Sequence, residues 1–138
     1  MNTAVIAVGR MKEKPFRQMA DEYLKRLSRF GRYEEIEVPD LPEREGSSPA
    51  EEARIRMREG ESILQRIRPG DYVIALTISG RKQSSEALSA SLTERKNRGI
   101  SRVVFVIGGS LGLGQNVLSR ADEELSMSDM TFPHQLAR

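Results

Sequence analysis

The sequence has 138 residues, no cysteine, and a formal net charge of +2 that comes from 22 Lys and Arg against 20 Asp and Glu. This length suits one domain with one core over residues 1–138, and the lack of cysteine excludes disulfides and thiolate-bound metals. No apolar run is long enough to span a membrane, no signal peptide is visible, and a cytoplasmic location is expected. The mild basicity permits a nucleic-acid partner without requiring one.

Apolar residues in the first half of the chain recur at strand spacing and at helix spacing in alternation. A short apolar strand is predicted over 3–8 and a second strand over 33–38. Between them, apolar residues three and four positions apart predict an amphipathic helix that ends at Gly31. A polar loop with three prolines follows over 39–49. The apolar positions that define the helix are Phe16, Met19, Ala20, Tyr23, Leu24, Leu27 and Phe30.

The second half continues the alternation. A helix is predicted over 53–67, a strand over 71–78 that turns at Ser79-Gly80, and then a helix that Ser84 or Ser85 caps. The remaining predicted elements are a strand over 103–107, a helix over 116–121 and a strand over 123–128. Strands separated by helices indicate an α/β fold, with a mostly parallel sheet and helices on both faces.

A buried strand that runs into glycines is the most informative stretch. The five apolar residues of 103–107, four of them β-branched, predict a strand buried on both faces, and four glycines follow within 108–114. Turns of this kind at the carboxyl edge of a parallel sheet are where α/β folds bind ligands, although a tight turn without a ligand gives the same pattern. The segment has neither the Gly-Lys-Ser/Thr of a P-loop nor the spacing of a dinucleotide fingerprint. A ligand here would be held by backbone groups and shape more than by phosphate charge.

Other common catalytic motifs are absent from the sequence. His134 is the only histidine, and no cluster of His, Asp and Glu has metal-ligand spacing, so no bound metal is expected. No Gly-x-Ser-x-Gly elbow is present either. Several arginines are interpreted as a solvated helix face interleaved with glutamates: Arg54, Arg56, Arg58, Arg66 and Arg68.

Two short elements, Ile107-Gly108-Gly109-Ser110 and Thr131-Phe132-Pro133-His134, are specific as a pair. Together with further matching segments they run in order over essentially the whole chain. On these residues the sequence resembles the SPOUT-class methyltransferases and, within them, the ribosomal RNA large subunit methyltransferase H family. The segments that carry the resemblance are 4–10, 22–26, 36–39, 59–60, 75–80, 105–110, 112–113, 125–128 and 130–134.

The resemblance implies a trefoil-knotted α/β fold, a homodimer, and S-adenosylmethionine as the cofactor. It implies methylation of N3 of a pseudouridine in large-subunit (23S) ribosomal RNA, on the assembled ribosome. In family members a further amphipathic helix and a short tail follow the position of Arg138, and these complete the knot, the dimer and the active site. The residues that match the cofactor contacts of the family are Leu76, Gly108, Met127, Ser128, Asp129, Met130, Thr131 and Phe132. Outside this resemblance, methionines such as Met127 and Met130 more commonly fill a core.

The sulfonium cofactor is already activated, so the protein mainly has to align the methyl group with the attacking nitrogen. Removal of the N3 proton calls for a base or a cation that stabilises the anion, and His134 and Arg138 are the candidates. The alternative for His134 is a turn residue with one structural hydrogen bond, and for Arg138 a plain surface charge or an RNA-phosphate contact. A branched side chain at Gly108 is expected to abolish cofactor binding with the fold retained.

Two other functions remain compatible with the residues. A non-catalytic module of the same fold would bind ribosomes or RNA in a salt-sensitive way without transferring methyl groups. A small α/β nucleotide-binding protein would bind its ligand regardless of ribosomes, but the missing phosphate motifs argue against it.

Overall fold

Strands and helices alternate along the chain in the computed structural model, which describes all 138 residues. The strands are β1 (Asn2–Val8), β2 (Tyr33–Val38), β3 (Tyr72–Lys82), β4 (Arg102–Ile107) and β5 (Glu123–Ser126). The helices are α1 (Lys14–Leu27), α2 (Pro49–Leu64), α3 (Ser85–Asn97), α4 (Gln115–Arg120) and α5 (His134–Ala137). Ser84 caps α3 by accepting a hydrogen bond from the Ala87 N–H, as predicted. No helix is both long enough and apolar enough to cross a membrane.

The five strands form one sheet in the order β2-β1-β4-β3-β5, and every neighbouring pair is parallel. The predicted α/β architecture is therefore confirmed. Helices α2 and α4 cover one face, where Ile63 and Val117 pack against β-strand residues such as Ile6 and Val104. Helix α3 covers the other face, where Leu88 packs beside Ile74 and its neighbours. Alternate residues of each strand face opposite layers, so the central strands are buried on both sides. The trefoil knot stays a prediction.

Helix α1 is the predicted amphipathic helix, but it ends at Leu27 and its apolar stripe is largely uncovered. None of its residues is buried, its Met19 and Tyr23 are 55% and 57% exposed, and Phe30, three residues beyond its end, is 78% exposed. Only the part of its apolar stripe nearest the sheet, including Leu24 and Leu27, is half-buried. The 3.6-residue period correctly predicts which side chains share a face, but it does not determine what covers that face. Helix α1 thus presents apolar side chains on the surface of the chain.

The predicted turn at Ser79-Gly80 is wrong, because β3 continues through these residues to Lys82. Its pairing with β5 shifts register, because Leu76 and Arg81 both pair with Leu125 and the four residues between them have no partner in that ladder. Gly80 lies at this irregularity, and a Cβ placed on it would come within 2.6 Å of the backbone of Leu125. The glycine therefore serves close approach of two strands rather than reversal of the chain.

Candidate functional site

A cavity of about 860 Å³ opens at the carboxyl ends of β3, β4 and β5. This is the edge where parallel α/β sheets bind ligands, and the volume lies within the range of about 300–1,000 Å³ that is usual for cofactor sites. Three segments form most of its wall: the part of β3 from Leu76 to Ser79, just beyond its pairing with β4, the end of β4 and the glycine-rich loop over 107–113, and the segment after β5 that leads into α5. The fold thus brings both sequence elements that were predicted to matter to one place.

The glycine-rich loop folds tightly back on itself. The N–H of Gly112 donates to the carbonyl oxygen of Gly109 at 3.0 Å, and the same two residues form an isolated antiparallel bridge. Gly112 has a φ of +81°, which favours glycine. A Cβ on Gly108 would lie 2.6 Å from the carbonyl carbon of Gly112. The loop therefore has no room for side chains at its base, and its backbone faces the cavity directly.

The segment after β5 is shaped by two serines. The hydroxyl of Ser126, a buried residue, donates to the carbonyl oxygen of Ser128 at 2.9 Å, and the Ser128 hydroxyl accepts from the Met130 N–H at 3.1 Å. These bonds hold the backbone in a turn. Met127 and Met130 line the cavity and are 51% and 75% exposed. They do not fill a core, so their apolar surface is available to a ligand.

Most of the predicted site residues meet at this cavity. Those that line it are Leu76, Gly108, Met127, Ser128, Met130, Thr131, Phe132 and His134. Asp129, predicted as a cofactor contact, does not line the cavity. Its exposed carboxylate oxygens instead accept hydrogen bonds at 2.7 and 2.8 Å from the ammonium group of Lys82. Lys82 lies at the end of β3, so this ion pair ties the loop after β5 to the neighbouring strand.

Arg138 lies elsewhere than predicted. Its side chain is only 1% exposed, and its guanidinium donates to Glu37 at 2.8 Å, to the carbonyl oxygen of Val8 at 3.2 Å and to that of Gly9. It also lies 3.5 Å from a carboxylate oxygen of Glu35. The two carboxylates on β2 and the free carbonyls at the end of β1 attract the guanidinium away from the cavity. Arg138 is thus neither a plain surface charge nor placed to meet RNA phosphates.

The electrostatics of Glu37 agree with this anchoring. Burial raises the pKa of its carboxyl, but the hydrogen bond from the Met11 N–H at 2.7 Å and the bond and charge of Arg138 outweigh burial, and the net pKa is lowered. Glu37 is therefore ionised at neutral pH and holds the end of the described chain against β1 and β2.

His134 begins α5 on the cavity wall and is half-buried. Its imidazole forms no hydrogen bond with the chain, and its role stays a prediction.

Arg56 and Thr77 are two of the cavity residues that the interpretation of the sequence missed. Arg56, assigned to a solvated helix face, is half-buried and lines the cavity. The signal was present in its spacing, because Arg56 shares the phase i, i+4, i+7 with Gly60 and Ile63, which are both buried. Thr77 also lines the cavity, and its buried hydroxyl oxygen has no hydrogen-bond partner. No sequence signal marks Thr77.

Glu59 lies behind the glycine-rich loop. Its Oε2 accepts a hydrogen bond from the Leu41 N–H at 3.0 Å, and its Oε1 would lie 3.7 Å from a Cβ on Gly109. Burial raises the pKa of this carboxyl, the nearby charge of Asp40 raises it further, and the Leu41 N–H only partly opposes the rise. The Glu59 carboxyl, whose pKa is raised, thus lies against the glycine-rich loop from outside the cavity.

The wall of the cavity suits S-adenosylmethionine. It combines exposed apolar side chains, the bare backbone of Gly108 and Gly109, and the unpartnered hydroxyl of Thr77, a composition typical of sites that hold a nucleoside by shape and backbone hydrogen bonds. No group of three or more His, Cys, Asp or Glu side chains is placed to hold a metal ion.

Comparison with known proteins gives matches over the whole chain. The family described as "Predicted SPOUT methyltransferase" matches residues 1–138. The chain is 48% identical over 138 residues to the ribosomal RNA large subunit methyltransferase H of Alkaliphilus oremlandii, 46% identical to that of Shouchella clausii and 48% identical to that of Bifidobacterium animalis subsp. lactis. Each alignment covers 100% of this chain and 87% of the relative.

Proposed function

The chain belongs to the SPOUT methyltransferases and, within them, to the ribosomal RNA large subunit methyltransferase H family, and on that premise we propose that it transfers a methyl group from S-adenosylmethionine to N3 of a pseudouridine in 23S ribosomal RNA. The observation that carries this proposal is the convergence of eight predicted site residues on one cavity at the carboxyl edge of the sheet. We further propose that the protein acts in the cytoplasm on the assembled ribosome.

The cofactor would be held by two kinds of group. Leu76, Met130 and Phe132 offer apolar surface for the adenine, and the backbone of Gly108 and Thr131 offers hydrogen bonds to the base and ribose. When bound, the cofactor supplies a methyl group on a positively charged sulfur, which needs no further activation. The task that remains for the chain is to align this group with the accepting nitrogen and to exclude competing positions.

We propose that His134 accepts the proton that N3 loses. In the transfer, the bond between N3 and the methyl carbon forms, the bond between that carbon and sulfur breaks, and the N3 proton moves to an imidazole nitrogen. The half-buried ring on the cavity wall has no partner in the chain that would compete for this proton. Arg138 would contribute by positioning, because its bonds to Glu37 and β1 fix α5, which His134 begins.

The exposed apolar face of α1 supports the proposal of a homodimer. Met19 and Tyr23, one helical turn apart on α1, and Phe30 just beyond its end are each more than half exposed, and exposed apolar surface of this kind marks a site of protein association. Sedimentation analysis of the wild-type chain and of a Met19→Lys/Tyr23→Lys variant tests this. A shift of the variant from dimer to monomer is expected, and an unchanged dimer would place the interface elsewhere.

Methyl transfer tests the proposed function directly. Labelled S-adenosylmethionine is incubated with the chain and ribosomes that lack the modification, and mass spectrometry locates the methyl group. We expect incorporation at N3 of one pseudouridine, no incorporation into ribosomes that already carry it, and less into free 23S RNA. If the folded chain binds ribosomes with salt sensitivity but transfers no label, it is a non-catalytic ribosome-binding module and the proposal fails.

A further inference from the structure

Helix α2 carries three arginines at alternate positions, and only one of them reaches the cavity. Arg56 is half-buried and lines the cavity wall, whereas Arg54 and Arg58 are exposed and do not. The helix places Arg56 on the side that packs towards α4 and the glycine-rich loop. The packing of α2 against the rest of the fold therefore determines the position of Arg56.

The packing that fixes Arg56 is close. A Cβ on Gly114, at the end of the glycine-rich loop, would lie 2.7 Å from the backbone oxygen of Arg56. The side-chain amide of Asn116 donates to the carbonyl oxygen of Met57 at 3.0 Å, next to Arg56 in the chain. Helix α2 and the loop are thus in direct backbone contact, so the backbone of Arg56 is held beside the glycine-rich loop that lines the cavity.

The guanidinium of Arg56 has no partner in the chain. No hydrogen bond or ion pair engages it, although other half-buried or buried arginines such as Arg17 and Arg102 are paired with carboxylates. The one carboxylate on the cavity wall, that of the exposed Glu124, forms no ion pair with it. A half-buried arginine that lines a cavity and whose charge no carboxylate of the chain pairs favours an anionic ligand.

We propose that Arg56 binds the α-carboxylate of the amino-acid end of S-adenosylmethionine, an inference that rests on the proposed function. The apolar residues near β3 and β5 suit the adenine, which leaves the end beside Gly112 and Arg56 for the amino acid. The planar guanidinium matches a carboxylate through two parallel hydrogen bonds. An RNA phosphate is the less favoured ligand, because Arg56 lines the cavity whereas the exposed Arg54 and Arg58 on the same helix do not.

The test compares two ligands that differ in the amino-acid end. S-adenosylhomocysteine carries the carboxylate, and 5′-methylthioadenosine has the same nucleoside and sulfur without it. Isothermal titration measures both with the wild-type chain, with Arg56→Gln and Arg56→Lys, and with Arg54→Gln and Arg58→Gln as controls on the same helix. We expect Arg56→Gln to weaken S-adenosylhomocysteine by about tenfold, the effect of one charge-assisted hydrogen-bonded pair at a half-buried site. Binding of 5′-methylthioadenosine should stay unchanged, Arg56→Lys should keep part of the affinity, and the two controls should match wild type.

The outcomes separate this inference from the proposed function. If the folded wild-type chain binds neither ligand, the assignment of the cofactor fails, and with it the role of Arg56. If wild type binds both and Arg56→Gln weakens neither, or weakens both equally, the cofactor site stands and the carboxylate contact is overturned. If Arg56→Gln leaves both affinities intact but weakens ribosome binding, the arginine contacts RNA instead, which also overturns the inference.

Discussion

Replacing Gly108 with alanine probes whether the shape of the glycine-rich loop, rather than its sequence, creates the proposed cofactor site. From the sequence alone, a side chain at this position is expected to protrude into the space of the cofactor. The structure gives a different reason for the same loss. The added Cβ would lie 2.6 Å from the carbonyl carbon and 2.8 Å from the carbonyl oxygen of Gly112, so it strikes the loop itself.

The size of the effect follows from these distances. Ordinary van der Waals contact begins at 3.4 Å, so the backbone of Gly112 has to retreat by about 0.8 Å in Gly108→Ala, and no flexible side-chain end can yield in its place. The bridge between Gly109 and Gly112 is strained or lost as a result. Overpacking of this kind costs about 1–3 kcal/mol, and a displacement approaching 1 Å at a reacting centre lowers catalysis by about 100-fold.

The assay combines titration of S-adenosylhomocysteine, methyl transfer to unmodified ribosomes, and thermal unfolding. Gly70→Ala is the matched control, because a Cβ on Gly70 meets nothing within 4 Å and its φ is not positive. We expect Gly108→Ala to stay folded with a lower Tm and greatly weakened ligand binding, and Gly70→Ala to behave as wild type. Wild-type affinity and transfer in Gly108→Ala would refute the argument that the contact with Gly112 shapes the site.

Three further substitutions test other parts of the molecule. Asp71→Ala removes the carboxylate that lies 2.7 Å from the buried guanidinium of Arg102, which keeps only Glu34 at 3.5 Å and the Arg66 carbonyl oxygen at 3.2 Å. Denaturant unfolding should show a loss of about 3 kcal/mol, the lower end of the cost of breaking a buried pair, against less than about 1 kcal/mol for Arg26→Ala, whose ion pair is exposed. Glu59→Gln keeps a hydrogen-bond acceptor and removes a carboxyl whose pKa is raised by burial. Because a raised carboxyl pKa makes the wild-type protein lose stability as pH rises, the variant should be more stable than wild type near pH 7 and equally stable below about pH 4. A variant that becomes less stable than wild type as pH rises would contradict this. His134→Ala should lower methyl transfer by at least about 100-fold with S-adenosylhomocysteine affinity unchanged, whereas equal losses of binding and transfer would make His134 a binding residue only.

The strands were predictable because their signals are local. The β2 boundaries follow from the sequence without error, since an alternating segment is bounded by Gly31 on one side and Pro39 on the other. The predicted turn at Gly80 was wrong because its signal is ambiguous at the local level. Glycine signals either a turn or a close approach of backbones, and the choice depended on β5, which joins β3 from more than 40 residues away.

The lining of the cavity was predictable where a residue lies just beyond the paired part of the parallel strands, and unpredictable where charge decides. Leu76 follows the last β3 residue that pairs with β4, and Gly108 follows β4 itself, so the parallel sheet alone brings them together. Arg138 is drawn to Glu37 on β2, a partner 101 positions earlier in the chain. Arg56 was missed for a different reason. Its charged neighbours in the sequence predict a solvent-exposed position, whereas its helical phase places it on the same side of α2 as the buried Gly60 and Ile63.

The buried ion pair and the glycine-rich loop lie at opposite ends of the sheet, so the predicted effects of Asp71→Ala and Gly108→Ala can be measured separately. The buried pair of Asp71 and Arg102 lies where β3 and β4 begin, whereas Gly108 lies just beyond the end of β4. The six residue steps from Arg102 to Gly108 along β4 hold these points about 20 Å apart. Substitutions that far apart and without shared partners add within about 0.5 kcal/mol. The double variant Asp71→Ala/Gly108→Ala should therefore unfold with the sum of the two losses, while its remaining folded fraction binds S-adenosylhomocysteine as poorly as Gly108→Ala alone. A double variant whose stability departs from that sum by more than about 1 kcal/mol would show that the sheet transmits strain from its core end to the cofactor loop.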